Sequence, residues 1–458
     1  MNKNKKLLNN TLIFAIGSIG TKLINILMVP IYTYLMTKSQ YGSVDLFITT
    51  INMLAPIVGF SIADAVFRFT LDDEYDSDTV LSNGVALTLF GTVTFVFASG
   101  LFYIITGRPN LLFIAVMVMA NVFVMLFLNY FRGTGLIRLF IVFSLIFAAL
   151  NALLTAFGII YGPTHVTGFI IGYILSAIIT IFLMVVCSKC YRQIKIAKIK
   201  KPIMRELLMY SVPLIPNAFA WWFTQDAAKF FILIFVGASG NGLYAVASKV
   251  PALVTIFYGI FSQAWQISAV DEFKSEDASE FYSETFAKLF SWLIVVVALA
   301  LLVLRPLMGV IVQASYYDAW QNIGFLLVSA VFSNLSAFVG TTYIAAKQTR
   351  DIMTTTFIGL IANLVFSVIL IPIFGVQGAG LGSMLGFALV LWIRIVKTKK
   401  LVPIKVNLLT TLSSLGIVFA MIAANYIPEV PVRYISLVVL LLLVTLLNVR
   451  TMLLRKKG

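Results

Sequence analysis

The chain has 458 residues, of which 60% are hydrophobic and only 11% are charged. Soluble proteins carry about 25% charged residues, so this composition excludes an ordinary soluble enzyme and predicts an all-α polytopic membrane protein. The formal net charge is +15, but the basic residues cluster beside apolar segments, where retention of Lys and Arg in the cytoplasm explains them. We therefore expect membrane lipids, and no nucleic acid, as partners.

Fourteen apolar segments, each long enough to cross a bilayer, follow one another through short loops. In chain order they cover residues 11–36, 43–69, 79–106, 111–131, 137–160, 166–187, 207–235, 242–270, 281–305, 319–346, 352–374, 377–396, 406–427 and 432–453. The first segment is too long for a signal-peptide core, so we predict that it is retained as a span. An even number of spans places both termini on one side. Loops on that side hold about 26 of the 33 Lys and Arg residues, which predicts cytoplasmic termini.

Cysteine and histidine are too few for a metal centre. Cys187 and Cys190 are the two cysteines, and His165 is the single histidine. A zinc site at the cysteine pair would need two further ligands, and His165 is predicted on the opposite side of the membrane. We therefore predict two reduced thiols and neither a metal nor a cofactor.

The two halves of the chain resemble each other. Matching features recur in the same order: Tyr41-Gly42 with Asn241-Gly242, Arg138 with Arg350, and Asn151 with Asn363. Close helix packing explains individual small-residue pairs, but not their common order. Six spans per half predict a parallel repeat. The predicted organisation is an N-lobe of spans 1–6 (1–187), a basic cytoplasmic linker (188–206), a C-lobe of spans 7–12 (207–397), and spans 13–14 with a basic tail (398–458).

Ionisable residues inside the spans are the first candidates for a functional site, because each costs about 2.5–3.5 kcal/mol on insertion scales. They are Lys22, Asp64, Arg68, Asp226, Lys229 and Lys249. Under the repeat these residues lie on equivalent helices, spans 1 and 2 in one half and spans 7 and 8 in the other. Each acid also lies three or four residues from a cation on its own span, so simple ion pairs remain an alternative. Lys22 and Lys249 have no acid at helical spacing and favour an aqueous cavity with an anionic ligand.

Polar and aromatic residues on the same spans suit a sugar ligand. Amides bond to hydroxyl groups and aromatic faces stack on sugar rings, so Asn25, Trp222 and Gln225 join the predicted site. The alternative for tryptophan is a place in an interfacial belt. Signs of a soluble catalytic domain are missing: there is no phosphate-binding loop ending in Gly-Lys-Ser/Thr and no long loop on the outer side. We therefore predict that the chain is not an enzyme.

Four short sequence segments resemble those of a known family. They are Tyr210-Ser-Val-Pro213-Leu-Ile-Pro216, Gln225-Asp226-Ala-Ala-Lys229-Phe-Phe-Ile-Leu, Asn241-Gly-Leu-Tyr244-Ala-Val-Ala-Ser-Lys249 and Phe261-Ser-Gln-Ala-Trp265-Gln-Ile-Ser. In order and spacing they are similar to the polysaccharide (O-antigen, capsule or exopolysaccharide) flippases of the multidrug/oligosaccharidyl-lipid/polysaccharide (MOP) exporter superfamily.

That resemblance implies a V-shaped transporter of the bacterial cytoplasmic membrane with two six-helix lobes. It would carry undecaprenyl-diphosphate-linked oligosaccharide repeat units outward by alternating access, alongside the polysaccharide polymerase machinery. The anionic diphosphate suits Lys22, Lys249, Arg68 and Lys229 as ligands. Asp64 and Asp226 are the candidates for coupling to a proton or cation gradient.

Two relatives in the superfamily stay open as alternatives. A cation-coupled multidrug exporter commonly relies on an acid in the first span, where this chain has Lys22. A peptidoglycan-precursor flippase would use the same chemistry on another lipid-linked sugar. From a different class, a membrane glycan polymerase or acyl transferase would need acids, histidines or arginines in a sizeable loop, and the loops on the outer side are short.

Overall fold

The computed structural model describes residues 20–72, 74–346 and 348–453, and every regular element in these ranges is helical. The helices are α1 (residues 20–35 among those described), α2 (Lys38–Val58), α3 (Ile62–Thr70), α4 (Ser77–Thr106), α5 (Asn110–Gly133), α6 (Ile137–Tyr161), α7 (His165–Cys187), α8 (Lys201–Ser211), α9 (Ile215–Asp226), α10 (Ala228–Phe235), α11 (Ala238–Ala247), α12 (Lys249–Glu272), α13 (Ala278–Ile311), α14 (Trp320–Ala345), α15 (Thr349–Phe374), α16 (Val376–Thr398), α17 (Leu408–Ala424) and α18 (Val430–Leu453). The start of the predicted first span and the end of the basic tail lie outside the described residues. The predicted fold class, an all-α polytopic membrane protein, is confirmed.

Within the described residues, 11 helices are long and apolar enough to cross a bilayer, against 14 predicted spans. The difference has three local causes. The described part of α1 is short, the seventh span is divided between α9 and α10, and α17 has 17 residues. The remaining spans begin and end within a few residues of their predicted limits.

The helices form two compact units, Met1–Asp226 (unit 1) and Ala227–Gly458 (unit 2). In unit 1, α5 contacts α2, α3, α4, α6 and α7 and contributes fully buried residues such as Val118, Leu126 and Phe131. In unit 2, α14 has the same central position, with contacts to α11, α12, α13, α15 and α16. Helices α17 and α18 pack on α13. The division into an N-lobe, a linker and a C-lobe stays a prediction.

The predicted second span is broken between α2 and α3. Phe60 and Ser61 have φ angles of 51° and 49°, a left-handed conformation that is uncommon for residues other than glycine and ends the helix. Helix α4 approaches the break so closely that a Cβ atom at Gly91 would collide with the carbonyl oxygen of Val58. The break separates α2 from α3, and α3 carries Asp64 and Arg68.

The predicted eighth span is interrupted more mildly, between α11 and α12, where Ser248 keeps right-handed helical backbone angles (φ −68°, ψ −14°). Pro251 lacks the N–H group that would bond to the carbonyl oxygen of Ala247, and α11 ends at Ala247. Lys249 is consequently the first residue of α12.

The predicted linker packs on unit 1. Residues 189–205, which we call the basic strap, follow α7 through two short 3₁₀ turns and include the first turns of α8. The main-chain N–H of Lys195 donates to Ser82 Oγ (3.0 Å), and that of Lys200 donates to Asn83 Oδ1 (2.8 Å). The strap is therefore fixed to the start of α4.

Candidate functional site

Lys22 and Asn25 lie one turn apart on α1, and both side chains are exposed. The far end of α1 is anchored in unit 1 by Tyr32. Its hydroxyl group lies 2.8 Å from Thr155 Oγ1 on α6, and its ring centroid lies 5.7 Å from that of Phe169 on α7. Because residues three apart share one face of a helix, Lys22 and Asn25 can contact the same ligand.

Asp64 and Arg68 are exposed on α3. Arg68 forms its ion pair with Asp72 (Nη1 to Oδ2, 3.5 Å) rather than with Asp64. The side chains in this pair are 52% and 34% exposed, and exposed pairs contribute little free energy. On the neighbouring helix α5, Arg132 interacts electrostatically with Asp64 and lies 4.3 Å from the ring centroid of Phe67. The Arg68 guanidinium can therefore exchange Asp72 for an anionic ligand at small cost.

Trp222 and Gln225 lie one turn apart on α9. The indole Nε1–H of Trp222 donates to the carbonyl oxygen of Thr49 on α2 (3.0 Å), and the ring centroid lies 5.7 Å from that of Phe219. Gln225 is exposed. Since the indole N–H already has its acceptor, Trp222 can offer a sugar only its ring, while Gln225 offers an amide.

The remaining predicted residues lie where helices meet end to end. Asp226 is the last residue of α9, Lys229 is the second residue of α10 and Lys249 begins α12. All three are half-buried. Breaks in spanning helices leave backbone groups outside the regular ladder and are tolerated where protein or water satisfies them. A half-buried charge is easier to accommodate at such positions than in the middle of an unbroken apolar helix.

The predicted site residues are divided between the two units. Unit 1 holds Lys22, Asn25, Asp64, Arg68, Trp222, Gln225 and Asp226, and unit 2 holds Lys229 and Lys249. Within unit 1 they form three groups, on α1, α3 and α9. Their assembly into one binding site stays a prediction.

Three buried charged residues were missed by the sequence analysis. Asp45 on α2 and Arg433 on α18 are each 7% exposed, and Arg394 on α16 is 8% exposed. Arg394 donates to the carbonyl oxygen of Ser336 (Nη1, 2.8 Å), to Thr355 Oγ1 (Nε, 3.1 Å) and to Thr356 Oγ1 (Nη2, 3.1 Å). It thereby joins α14, α15 and α16. All three residues fall inside predicted spans, so the rule that selected Lys22 would also have found them.

The sequence matches the model of a family described as polysaccharide biosynthesis protein over residues 7–266, which is more than half of the chain. The chain belongs to this family. A search of curated proteins gives no match.

The fold is that of the MOP transporters. A multidrug-resistance MATE transporter of the MOP superfamily, in an inward-facing conformation, is 16% identical, with a TM-score of 0.66 over 88% of this chain and 95% of the other. The lipid II flippase MurJ is 13% identical, with a TM-score of 0.69 over 96% and 98%. A MOP-superfamily transporter from Pyrococcus furiosus is 15% identical, with a TM-score of 0.59 over 90% and 95%. Together with the family match, these similarities confirm the predicted family and fold.

Proposed function

We propose that this protein is a flippase that carries undecaprenyl-diphosphate-linked oligosaccharide repeat units across the bacterial cytoplasmic membrane for surface polysaccharide synthesis. The match to a polysaccharide biosynthesis family over residues 7–266 carries the proposal. The multi-pass fold supports it, because 11 helices within the described residues can cross a bilayer. The similarity in fold to a lipid II flippase supports a lipid-linked substrate.

The cations of the predicted site would bind the diphosphate. Lys22 is exposed, and Lys229 and Lys249 are half-buried at helix breaks. Hydrogen bonds from charged donors to phosphate are roughly twice as strong as neutral ones, so a few lysines suffice to draw the headgroup out of water. Arg68 would join them, because exchange of its exposed partner Asp72 for a phosphate costs little free energy.

The sugar would lie beside Trp222, Gln225 and Asn25. The indole ring supplies a stacking face, and the two exposed amides supply donors and acceptors for hydroxyl groups. The polyprenyl tail stays in lipid, since its transfer into a polar cavity would lose about 0.8 kcal/mol for each CH₂ group. Only the sugar and the diphosphate would cross. Alternating access, in which a polar binding site opens to one side of the membrane at a time, would allow this movement. Asp64 and Asp226 would couple that exchange to a proton or cation gradient.

Complementation tests the proposal directly. The chain would be expressed in a bacterium that lacks its polysaccharide flippase, and surface glycan and lipid-linked sugars would be measured. We expect restored surface glycan and loss of the intermediate that accumulates on the cytoplasmic side. Well-inserted protein that leaves the intermediate in place for several glycan types would contradict the proposal.

The same cells distinguish the two alternatives. Rescue of a strain depleted of its peptidoglycan-precursor flippase would favour that substrate, as the fold of MurJ suggests. Resistance to cationic drugs without any effect on glycans would favour a multidrug exporter, as the fold of the MATE transporter suggests. Cysteine labelling from each side of the membrane would test the proposed cytoplasmic position of both termini.

A further inference from the structure

The basic strap is held rigidly on unit 1 at one end of its helices. Besides the bonds to the start of α4, Asn83 Nδ2 donates to the carbonyl oxygen of Lys198 (2.9 Å), and the Tyr130 hydroxyl near the end of α5 donates to Gln193 Oε1 (3.0 Å). The strap leaves the end of α7. The ends of α4, α5 and α7 that meet here are those that the positive-inside pattern places in the cytoplasm. The strap is therefore expected at the inner membrane surface.

One strap lysine is used internally. Lys198 Nζ lies 2.7 Å from Asp76 Oδ2 and 2.9 Å from Asp78 Oδ2 at the start of α4. The other basic residues of the strap are all exposed: Lys189, Arg192, Lys195, Lys200, Lys201 and Arg205. In the described part of the chain, no carboxylate lies within ion-pair distance of these six side chains. The strap therefore presents a cationic surface that none of the described carboxylates neutralises.

Apolar side chains protrude from the same surface. Ile196, between Lys195 and Lys200, is 88% exposed, and Ile199 is 39% exposed. Large apolar side chains among cations are typical of segments that lie in the membrane interface, with the apolar groups among the acyl chains and the charges among the headgroups.

We propose that the basic strap binds the headgroups of anionic phospholipids in the inner leaflet and holds unit 1 to that leaflet. This interaction is separate from the proposed transport of a lipid-linked sugar, and its ligand is a bulk membrane lipid. Each basic residue near an anionic surface strengthens binding by roughly fivefold. Because hydrogen bonds already fix the strap, little conformational entropy is lost on binding.

The test uses the full chain in nanodiscs of phosphatidylcholine with increasing phosphatidylglycerol. Native mass spectrometry counts the phosphatidylglycerol molecules that stay bound to the protein. The melting temperature is measured at each phosphatidylglycerol content, and the content that gives half of its maximal rise is the half-saturation point. The variant R192Q/K195Q/K200Q should need at least tenfold more phosphatidylglycerol for half-saturation than the wild type. The charge-preserving variant R192K/K195R/K200R should behave as the wild type, which separates lost charge from a folding defect.

A matched control removes three exposed lysines from unit 2, as K399Q/K400Q/K405Q. It changes the net charge equally in another loop predicted on the same side, and it should raise the amount of phosphatidylglycerol needed for half-saturation less than the strap variant does. If the strap variant and this control needed equally more phosphatidylglycerol for half-saturation, the effect would be one of general charge and the proposal would be wrong. Undecaprenyl diphosphate in pure phosphatidylcholine nanodiscs is the second probe. If the strap variant loses binding of that lipid and keeps binding of phosphatidylglycerol, the strap belongs to the transport path and the proposal is wrong.

Discussion

Trp222 donates a 3.0 Å hydrogen bond from its indole N–H to the carbonyl oxygen of Thr49. Thr49 is only 1% exposed, so the bond lies where water offers little competition. It attaches α9 to α2 within unit 1. The chain continues from α9 into α10, which belongs to unit 2. The first half of the predicted seventh span is therefore fixed to the N-terminal helices by this side chain.

Replacement of Trp222 separates the hydrogen bond from the ring. Trp222→Phe removes the N–H group and should lower the free energy of unfolding by about 1 kcal/mol, with transport kept because a stacking face remains. Trp222→Ala also leaves a cavity, and should cost about 3 kcal/mol or more and slow transport. Thermal unfolding in detergent and glycan transport in cells measure the two effects.

Trp392 provides the control, because its side chain is 63% exposed on α16. Trp392→Phe and Trp392→Ala should both leave stability in detergent nearly unchanged. If Trp222→Phe and Trp222→Ala slowed transport equally, the indole ring would have no part in binding the sugar.

The spans could be predicted from the sequence because the bilayer requires long, apolar and internally bonded helices. Each of α4, α5, α6 and α7 begins and ends within two residues of its predicted limits. The breaks could not be predicted in the same way. Phe60 and Ser61 are ordinary residues by composition, and their left-handed conformation depends on how α4 packs against them at Gly91.

The sequence predicts which residues belong to the candidate site better than it predicts which partners they contact. Hydropathy identifies which charges fall inside spans, and so selects Lys22 and Lys249. It does not determine partners: Arg68 pairs with Asp72, outside the span, and not with the acid one turn earlier. The docking of the basic strap depends on single contacts such as that of Asn83 with Lys200, and a run of lysines alone does not encode them.

Removal of a cation from the predicted site should slow transport without unfolding the protein. Hydrogen bonds to charged groups contribute about 1.5–3 kcal/mol, so Lys22→Gln and Lys249→Gln should each lower the initial rate roughly tenfold to a hundredfold. Lys22→Arg and Lys249→Arg should keep most of the activity because the charge remains. The measurement is the rate at which lipid-linked sugar appears on the far side of proteoliposomes. Lys399→Gln, at an exposed position after α16, is the control, and wild-type rates in both Gln variants would remove these cations from the mechanism.

Arg394 should contribute to stability more than any exposed cation. Arg394→Ala leaves the carbonyl oxygen of Ser336 and the hydroxyl groups of Thr355 and Thr356 without their donor in a buried place. Hydrogen bonds to a charged group contribute about 1.5–3 kcal/mol, and Arg394→Ala should lower the free energy of unfolding by at least that amount. The comparison is Lys397→Ala, which removes an ion pair 3.9 Å long to Asp351 whose side chains are each 42% exposed. That change should cost less than about 1 kcal/mol, and an equal effect of both variants on the melting temperature would show that burial of Arg394 adds nothing.

The contact between the basic strap and α4 should weaken in acid. Hydrogen bonds from Lys198 and Thr79 lower the pKa of Asp76 from 3.8 to about 2. Because the pKa is lower in the folded state, this stabilisation is complete above pH 4 and is lost as the pH falls from 3.8 towards 2. Asp76→Asn should therefore lower the melting temperature by a constant amount between pH 5 and 8, and by less and less below pH 4. A difference between wild type and Asp76→Asn that stays constant down to pH 2 would mean that the Asp76 carboxylate does not stabilise the strap.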